Sequence, residues 1–310
     1  MKEEGDLSSF AIMLLAFGGP RSLEEVAPFV ERLTGKKPSP KQLEGLQRRY
    51  QAIGNASPLP EMTLRQARAL EKALKGKGKP LPVFVGMRYS RPLIAEALEE
   101  IREREVSRII LISLSPYHSS FTTEGYYAEV KRIVATWNER MQLVEVDDWH
   151  VHAGLCAAWA AKIDEARGRM GGRKEAIPVV FTAHSLPQDV VASAPYVRQL
   201  EETIEGIIQI TGPLRWRLAF QSRGRGGDAW LGPEPQTCLE ELFAEGLHKA
   251  VICPIGFIVD HLETLYDLDI ALKAWADKQG IAIVRTPCLN DAPELIEVIC
   301  QLVEEALEGR

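Results

Sequence analysis

No stretch of the 310-residue sequence approaches the run of about 18 apolar residues that a membrane-spanning helix needs. The opening MKEEGDLSSF is acidic and polar, and the apolar run within and after it (FAIMLLAF) is short and leads straight into Gly-Gly-Pro. That reads as a first core strand, not a secretory leader, and a cytoplasmic location is expected by default. Cysteine is scarce: Cys156, Cys238, Cys253, Cys288 and Cys300 are odd in number, widely spaced and never arranged as CxxC. A disulfide framework and a cysteine-ligated zinc or iron–sulfur site are both unsupported, and buried or incidental thiols are expected. Walker A, GxSxG and HExxH motifs are missing. So is any long basic run. Lys75–Lys79 and Arg102–Arg108 are small groups in a chain of net charge −6, which argues against nucleic acid as the main partner.

What is present is ordinary globular composition, 45% hydrophobic and 26% charged, which excludes disorder over most of the length. Eight apolar, β-branched runs, at about 10–16, 81–86, 108–114, 141–147, 177–183, 215–221, 249–255 and 281–285, alternate with helical patterns. They are continuous runs, as parallel strands covered on both faces require. Helix starts are marked by Ser22-Leu-Glu-Glu25 as a capping box, by Pro92 opening a helix through about 104, and by Pro293 opening the last helix. The implied class is α/β with open parallel sheets.

The eight strands divide into two sets of four that echo each other. LLAFGGP (14–20) resembles VFTAHSLP (180–187), VFVGMRYSR (83–91) resembles LAFQSRGRG (218–226), and LISLSPYHSSFTTEG (111–125) resembles VICPIGFIVDHLETL (251–265), in the same order. Two similar Rossmann-like lobes are expected, about 1–150 and 151–310, each with a four-stranded parallel sheet flanked by helices. An insertion of roughly 30–60 in the first is placed to cover the C-terminal strand ends, where open α/β sheets bind ligands.

Reactive side chains gather just past strand ends: His184, Gln221, Ser222, Arg223, Asp260, His261 and Glu263 in the second half, Phe17, Arg88, Tyr89, Tyr117 and His118 in the first. If the lobes face each other these groups line one cleft. His184 suits a base or metal ligand, or is satisfied by local backbone. Asp260, Glu263 and Asp267, at i, i+3 and i+7, would form an acidic stripe on a helix beginning near 260. That stripe answers the helix dipole or carries protons or a divalent cation. GRGGDA (224–229) matches G-x-G-x-x-A, but Trp230, Pro233 and Pro235 follow instead of a phosphate-binding helix. Trp230 is either a loop-borne indole or a core residue. His150 and His152, after Asp147, Asp148 and Trp149, are read as a surface helix start.

These segments carry a resemblance. FTAHSLP around His184, QSRGRGGDAWLGP (221–233), CPIGFIVDHLETLYDLD (253–269), VGMRYSRP (85–92) and SPYHSSFTTEGYY (115–127) resemble the ferrochelatases, which insert ferrous iron into a porphyrin, over about 10–305. The resemblance implies two Rossmann-like lobes with a porphyrin cleft between them. It makes His184 the essential histidine at the pyrrole nitrogens and Glu263 the catalytic glutamate, both able to meet the metal. Asp260, His261 and Asp267 become neighbours on a proton or metal path. Phe17 stands where many Gram-positive homologues have Tyr, so it could only pack on the macrocycle, and Ala271 stands where some homologues extend the acidic row. Phe17, Trp230 and Phe257 suit the ring faces, with Tyr89 and Tyr117 beside them. Arg88, Ser115 and Tyr126 suit the propionates. Ferrous iron and porphyrin are then substrates. No prosthetic group is expected, and no iron–sulfur cluster, since the sequence ends at Arg310 without a cysteine-bearing extension. Coproporphyrin III is favoured over protoporphyrin IX, and a monomer is expected. A cobalt or nickel chelatase for another tetrapyrrole, or a porphyrin carrier without catalysis, are the alternatives.

Overall fold

The computed structural model describes residues 7–104, 106–138, 140–146, 148–192, 194–224 and 229–309. Most of the GRGGDA stretch and Asp147 lie outside the described residues. Eight strands form where the apolar runs predict them: β1 (Phe10–Ala16), β2 (Val83–Met87), β3 (Arg108–Ser113), β4 (Gln142–Glu145), β5 (Val179–His184), β6 (Trp216–Gln221), β7 (Lys249–Cys253) and β8 (Ala282–Arg285). The helices are α1 (Val26–Thr34), α2 (Pro40–Ala52), α3 (Leu59–Gly76), α4 (Ile94–Arg102), α5 (Thr123–Val134), α6 (Ala153–Met170), α7 (Gln188–Val191), α8 (Tyr196–Thr211), α9 (Pro235–Ala244), α10 (Leu262–Leu265), α11 (Lys273–Lys278) and α12 (Pro293–Glu308), with a π-helical turn at Asp267–Leu272 before α11.

The strands make two sheets, ordered β2-β1-β3-β4 and β6-β5-β7-β8, with every pair parallel. The order is the same in both halves, as the echoed segments anticipate. All seven residues of β1 are buried, because helices cover both sheet faces and leave no polar side for alternation to mark. In each sheet the chain leaves the first strand in one direction to its second and in the other to its third. The crevice at the C-terminal ends of β1 and β3, and of β5 and β7, is therefore a topological switch point, where ligands bind in such sheets.

Packing divides the chain into two compact units: Met1–Gln47 with Asn55–Trp149 and Asp291–Arg310, and Arg48–Gly54 with His150–Asn290. The last helix thus belongs with the first unit, where chain position had assigned it to the second lobe. Leu70 and Leu74 of α3 and Ile299 and Val303 of α12 are fully buried in that unit. Arg65–Asp291, Lys77–Glu297 and Lys79–Glu304 pair on its surface at 2.5, 2.8 and 2.8 Å. An apolar helical stripe goes where it can be covered, whatever its position in the chain.

Two helix starts differ from expectation. Ser22 and Glu25 make no capping box. Glu25 pairs instead with Arg21 at 2.7 Å, and α1 begins only at Val26. Pro92 precedes α4, whose N-cap is Leu93. Pro293 does open α12. His152 is the N-cap of α6, its Nδ1 accepting from the Gly154 amide at 3.1 Å, while His150 is buried against Glu202 at 2.7 Å and not on the surface. All five cysteines are free and buried, and burial pushes the Cys253 thiol up to about 12. No helix among the described residues is long and apolar enough to cross a membrane.

The packing of α12 generates a contrast. Ile299→Ala removes a fully buried side chain and is expected to cost about 2–5 kcal/mol. Lys77→Ala removes a half-exposed ion pair and is expected to cost under about 1 kcal/mol. Urea unfolding followed by circular dichroism measures both. Equal effects would contradict the assignment of α12 to the core of the first unit.

Candidate active site

In the second unit His184 is the last residue of β5, one step beyond the buried Val-Val-Phe-Thr-Ala run. Its backbone is held on both sides. His184 sits in register with Gln221 of β6, the Ser185 amide donates to the Gln221 carbonyl at 2.8 Å, and the Tyr196 hydroxyl donates to the His184 carbonyl at 3.2 Å. The loop after β7 is pressed onto this strand end. The Gly256 amide donates to the Thr182 carbonyl at 3.1 Å, and a Cβ on Gly256 would lie 2.7 Å from the Cα of Ala183. Only glycine lets the two backbones approach this closely. The loop then turns through His261, extended at φ −156°, into α10. The His261 amide is taken by Thr264 Oγ1 at 2.9 Å, and Glu263 stands on the first turn.

This places Glu263 Oε2 2.9 Å from His184 Nδ1 and 3.8 Å from His261 Nε2. Gln221 Nε2 donates to the Glu263 carbonyl at 2.7 Å and holds the turn from below. Burial works against charge on the His184 imidazole, but the Glu263 carboxylate, through its charge and hydrogen bond, outweighs it, with Asp267 adding. The net result is a histidine pKa raised above 6.5. Burial alone would raise the Glu263 pKa. The charges and hydrogen bonds of His184 and His261 reverse it and hold this carboxyl well below the usual range. Tyr50, buried nearby, is pushed up by burial and by the Glu263 charge.

The three carboxylates expected on one helical stripe meet three different sets of partners. Because His261 is extended, Asp260 lies before the helix and faces Arg285, Asn290 and Thr264 at 2.7, 2.9 and 3.2 Å. Glu263 faces His184. Asp267, at the start of the π-helical turn, accepts from the Ser222 hydroxyl at 2.6 Å and pairs with Arg49, whose guanidinium stacks over Tyr266 at 4.9 Å. Among the described residues no three His, Cys, Asp or Glu side chains converge as ligands for one metal ion. His184 and Glu263 offer two donors, which suits a metal whose remaining ligands come from a substrate. Phe257 lies 4.8 Å from the His261 ring. Trp230 forms an isolated bridge with Pro187, and its indole fills the space where Gly224 has no side chain.

In the first unit Phe17, just past β1, makes edge contacts with Tyr89 at 4.7 Å and Phe29 at 6.3 Å. Arg88 is already engaged. It donates to the carbonyls of Ser120 and Phe121 at 3.4 and 3.3 Å, lies 3.8 Å from Glu129 and stacks over Tyr89 at 5.2 Å. Tyr117 and Tyr126 are in the core, 0% and 2% exposed, and Ser115 spends its hydroxyl on the Tyr117 carbonyl at 3.2 Å. Arg88 and Ser115, expected at the propionates, instead bond backbone carbonyls of the loop between β3 and α5, while Tyr126, expected there too, and Tyr117, expected beside the ring, are buried.

The sequence model of the ferrochelatase family matches residues 9–307. The chain belongs to the ferrochelatase family. It is 33% identical to the ferrochelatase of Herpetosiphon aurantiacus, covering 94% of this chain and 97% of that one. It is 32% identical to the coproporphyrin III ferrochelatase of Oceanobacillus iheyensis, covering 94% and 95%. Among solved structures, SirB from Bacillus subtilis with Fe3+ shares the fold, with a TM-score of 0.62 at 12% identity over 97% of this chain and 98% of that one.

Several residues around the His184–Glu263 pair are not visible in the motifs. Arg49 and Tyr50 come from α2, inside the insertion, and belong with the second unit. Their only sequence signal is a pair of polar-headed residues closing an otherwise exposed helix. Arg285 and Asn290 have a weak one: a charge ending the short strand β8 and an Asn at positive φ (54°) after it.

The close approach at Gly256 is testable. Gly256→Ala is expected to push the 254–261 loop off β5, separate Glu263 from His184 and lower turnover about 10- to 100-fold. Gly76→Ala, at a position with nothing within 4 Å, is expected to leave turnover unchanged. Steady-state iron insertion by both variants is the check.

Proposed function

We propose that His184 and Glu263 handle the pyrrole protons, His184 as the acceptor and Glu263 as its charge partner, and meet the entering metal as this chain inserts ferrous iron into a porphyrin. The observation that carries the reading is the 2.9 Å contact between His184 Nδ1 and Glu263 Oε2 at the switch point of the second sheet. A free-base porphyrin must release two N–H protons as a divalent metal enters, so a base is required. With Nδ1–H donated to Glu263, the His184 Nε2 lone pair is the acceptor. Accepting a proton there makes an imidazolium whose charge the Glu263 carboxylate stabilises, the role a carboxylate plays behind any catalytic histidine. Imidazole and carboxylate are also serviceable, not over-tight, donors to ferrous iron in passage. His261, 3.8 Å from Glu263 on its other side, is the next group able to receive a proton. Trp230 and Phe257, in the same unit as the pair, supply apolar surface for the ring. Iron and porphyrin are substrates, and no prosthetic group is assigned. Coproporphyrin III is the favoured porphyrin, supported by the name of the Oceanobacillus relative.

The sign of the pH dependence follows from the pair. Below its raised pKa His184 already carries the proton on Nε2, so turnover rises with pH through a value above 6.5. Glu263→Gln removes the charge that raises this pKa. Its acid limb is expected to move to lower pH while the plateau falls, because the imidazolium loses its partner. His184→Ala is expected to lose about 100-fold or more at every pH. Anaerobic ferrous insertion followed by absorbance, with coproporphyrin III and protoporphyrin IX in parallel, tests all three. An unmoved acid limb in Glu263→Gln would detach Glu263 from His184. Turnover with Co2+ on another tetrapyrrole, and none with iron on either porphyrin, would replace the reading.

A further inference from the structure

Asp260 precedes Glu263 by three residues, and both of its carboxylate oxygens accept hydrogen bonds. Oδ1 accepts from Arg285 Nη1 at 2.7 Å and from Thr264 Oγ1 at 3.2 Å, and Oδ2 accepts from Asn290 Nδ2 at 2.9 Å. Asn290 closes a reciprocal pair by accepting the Asp260 amide at 2.9 Å, and its own amide donates to the Ile258 carbonyl at 2.9 Å. Arg285 extends the clamp. Its Nε and Nη2 hold Asp269 at 2.6 and 2.7 Å, and its Nη1 also reaches the Thr286 carbonyl at 2.9 Å. One guanidinium therefore ties the end of β8 to the residue before α10 and to the π-helical turn after it. Glu263 lies on the short segment between those two anchors.

A relay carboxylate must offer an oxygen that takes a proton and passes it on. A metal ligand must offer a free lone pair. Both Asp260 oxygens face donors, and the two strongest, a guanidinium and a carboxamide, do not release protons at working pH. The side chains of Asp260 and Arg285 are 15% and 11% exposed, so solvent does not displace this arrangement.

We propose that Asp260 is a positioning residue, held by Arg285 and Asn290, that fixes the turn presenting Glu263 to His184, and that its carboxylate carries neither a proton nor the metal. The proposal rests on the reading of the His184–Glu263 pair as the reactive centre.

The reciprocal pair permits an exchange. Asp260→Asn alone sets two carboxamides against each other and is expected to lower kcat about 10-fold with the porphyrin KM little changed. Asp260→Asn combined with Asn290→Asp moves the carboxylate to the other side of the same hydrogen bonds, and Asp tolerates the positive φ at 290. Position 260 still offers an oxygen to Arg285. The double variant is expected to return to within about threefold of wild-type kcat, a coupling only a shared interaction produces. A double variant no faster than Asp260→Asn would show that a carboxylate at 260 is itself required and overturn the proposal. Wild-type kcat in Asp260→Asn alone would overturn it too. Should the Asp260 variants fail to fold, Arg285→Lys keeps a cation near Asp260 but cannot hold Asp269 with two bonds. It is expected to lower kcat with Asp260 intact, and unchanged kcat would overturn the clamp. Absence of iron insertion by the wild-type protein in the same assay would strike the reading of the pair instead.

Discussion

The Glu263 carboxylate and the His184 imidazole are partly withdrawn from water, and burial works against the charge on each. At 2.9 Å they restore it to each other. The carboxylate raises the histidine pKa and the histidine lowers the carboxyl pKa, each reversing the effect of burial on the other. Everything around the pair serves that separation. β5 ends at His184 because the apolar run ends there, Gly256 lets the next loop lie flat on the strand, and Gln221 and Thr264 fix the turn that carries Glu263. A shift of the loop by the width of a methyl group would separate this partly buried carboxylate from its histidine.

The repeated strand order gives the arrangement its economy. In both units the first strand of the sheet is central, with its C-terminal end at the switch point. One unit puts a phenyl ring just past that end and the other an imidazole at it: Phe17 follows β1, and His184 closes β5. The backbone solution is the same and the chemistry differs by side chain. That is what a sheet buried on both faces permits, since only the residues past its edge are released from the demands of the core.

Because strands between helix layers are apolar runs, all eight are legible in the sequence, and His184, which the structure places 2.9 Å from Glu263, stands at the end of one of them. What was not legible lay in contacts between distant positions. Asp260 and its partners are 25 and 30 residues apart, and Arg49 meets Asp267 across 218. No local period reports such pairs. Arg88, just past β2, reads as a cation free to meet a propionate, and only the fold shows that Gly125 leaves room for its guanidinium against the Ser120 and Phe121 carbonyls. The capping box at Ser22 failed for a local reason of the same kind: Arg21 competes for Glu25 and wins.

The broken acidic stripe has a physical cause. On a regular helix Glu263 and Asp267, four residues apart, would be stacked like charges, and Asp260 would add a third on the same face. Two backbone departures prevent this. The extended conformation at His261 turns Asp260 away before the helix begins. Then the π-helical turn, in which the Ala271 amide reaches back five residues to the Tyr266 carbonyl at 2.8 Å, inserts an extra residue where the row would continue. Each carboxylate is thereby delivered to its own partner: Asp260 and Asp269 to Arg285, Glu263 to His184, Asp267 to Arg49 and Ser222. A segment that reads as a reservoir of negative charge is, when folded, a set of separately neutralised sites. Only one of these carboxylates, Glu263, has a histidine as its partner, a side chain whose ordinary pKa lies near neutrality.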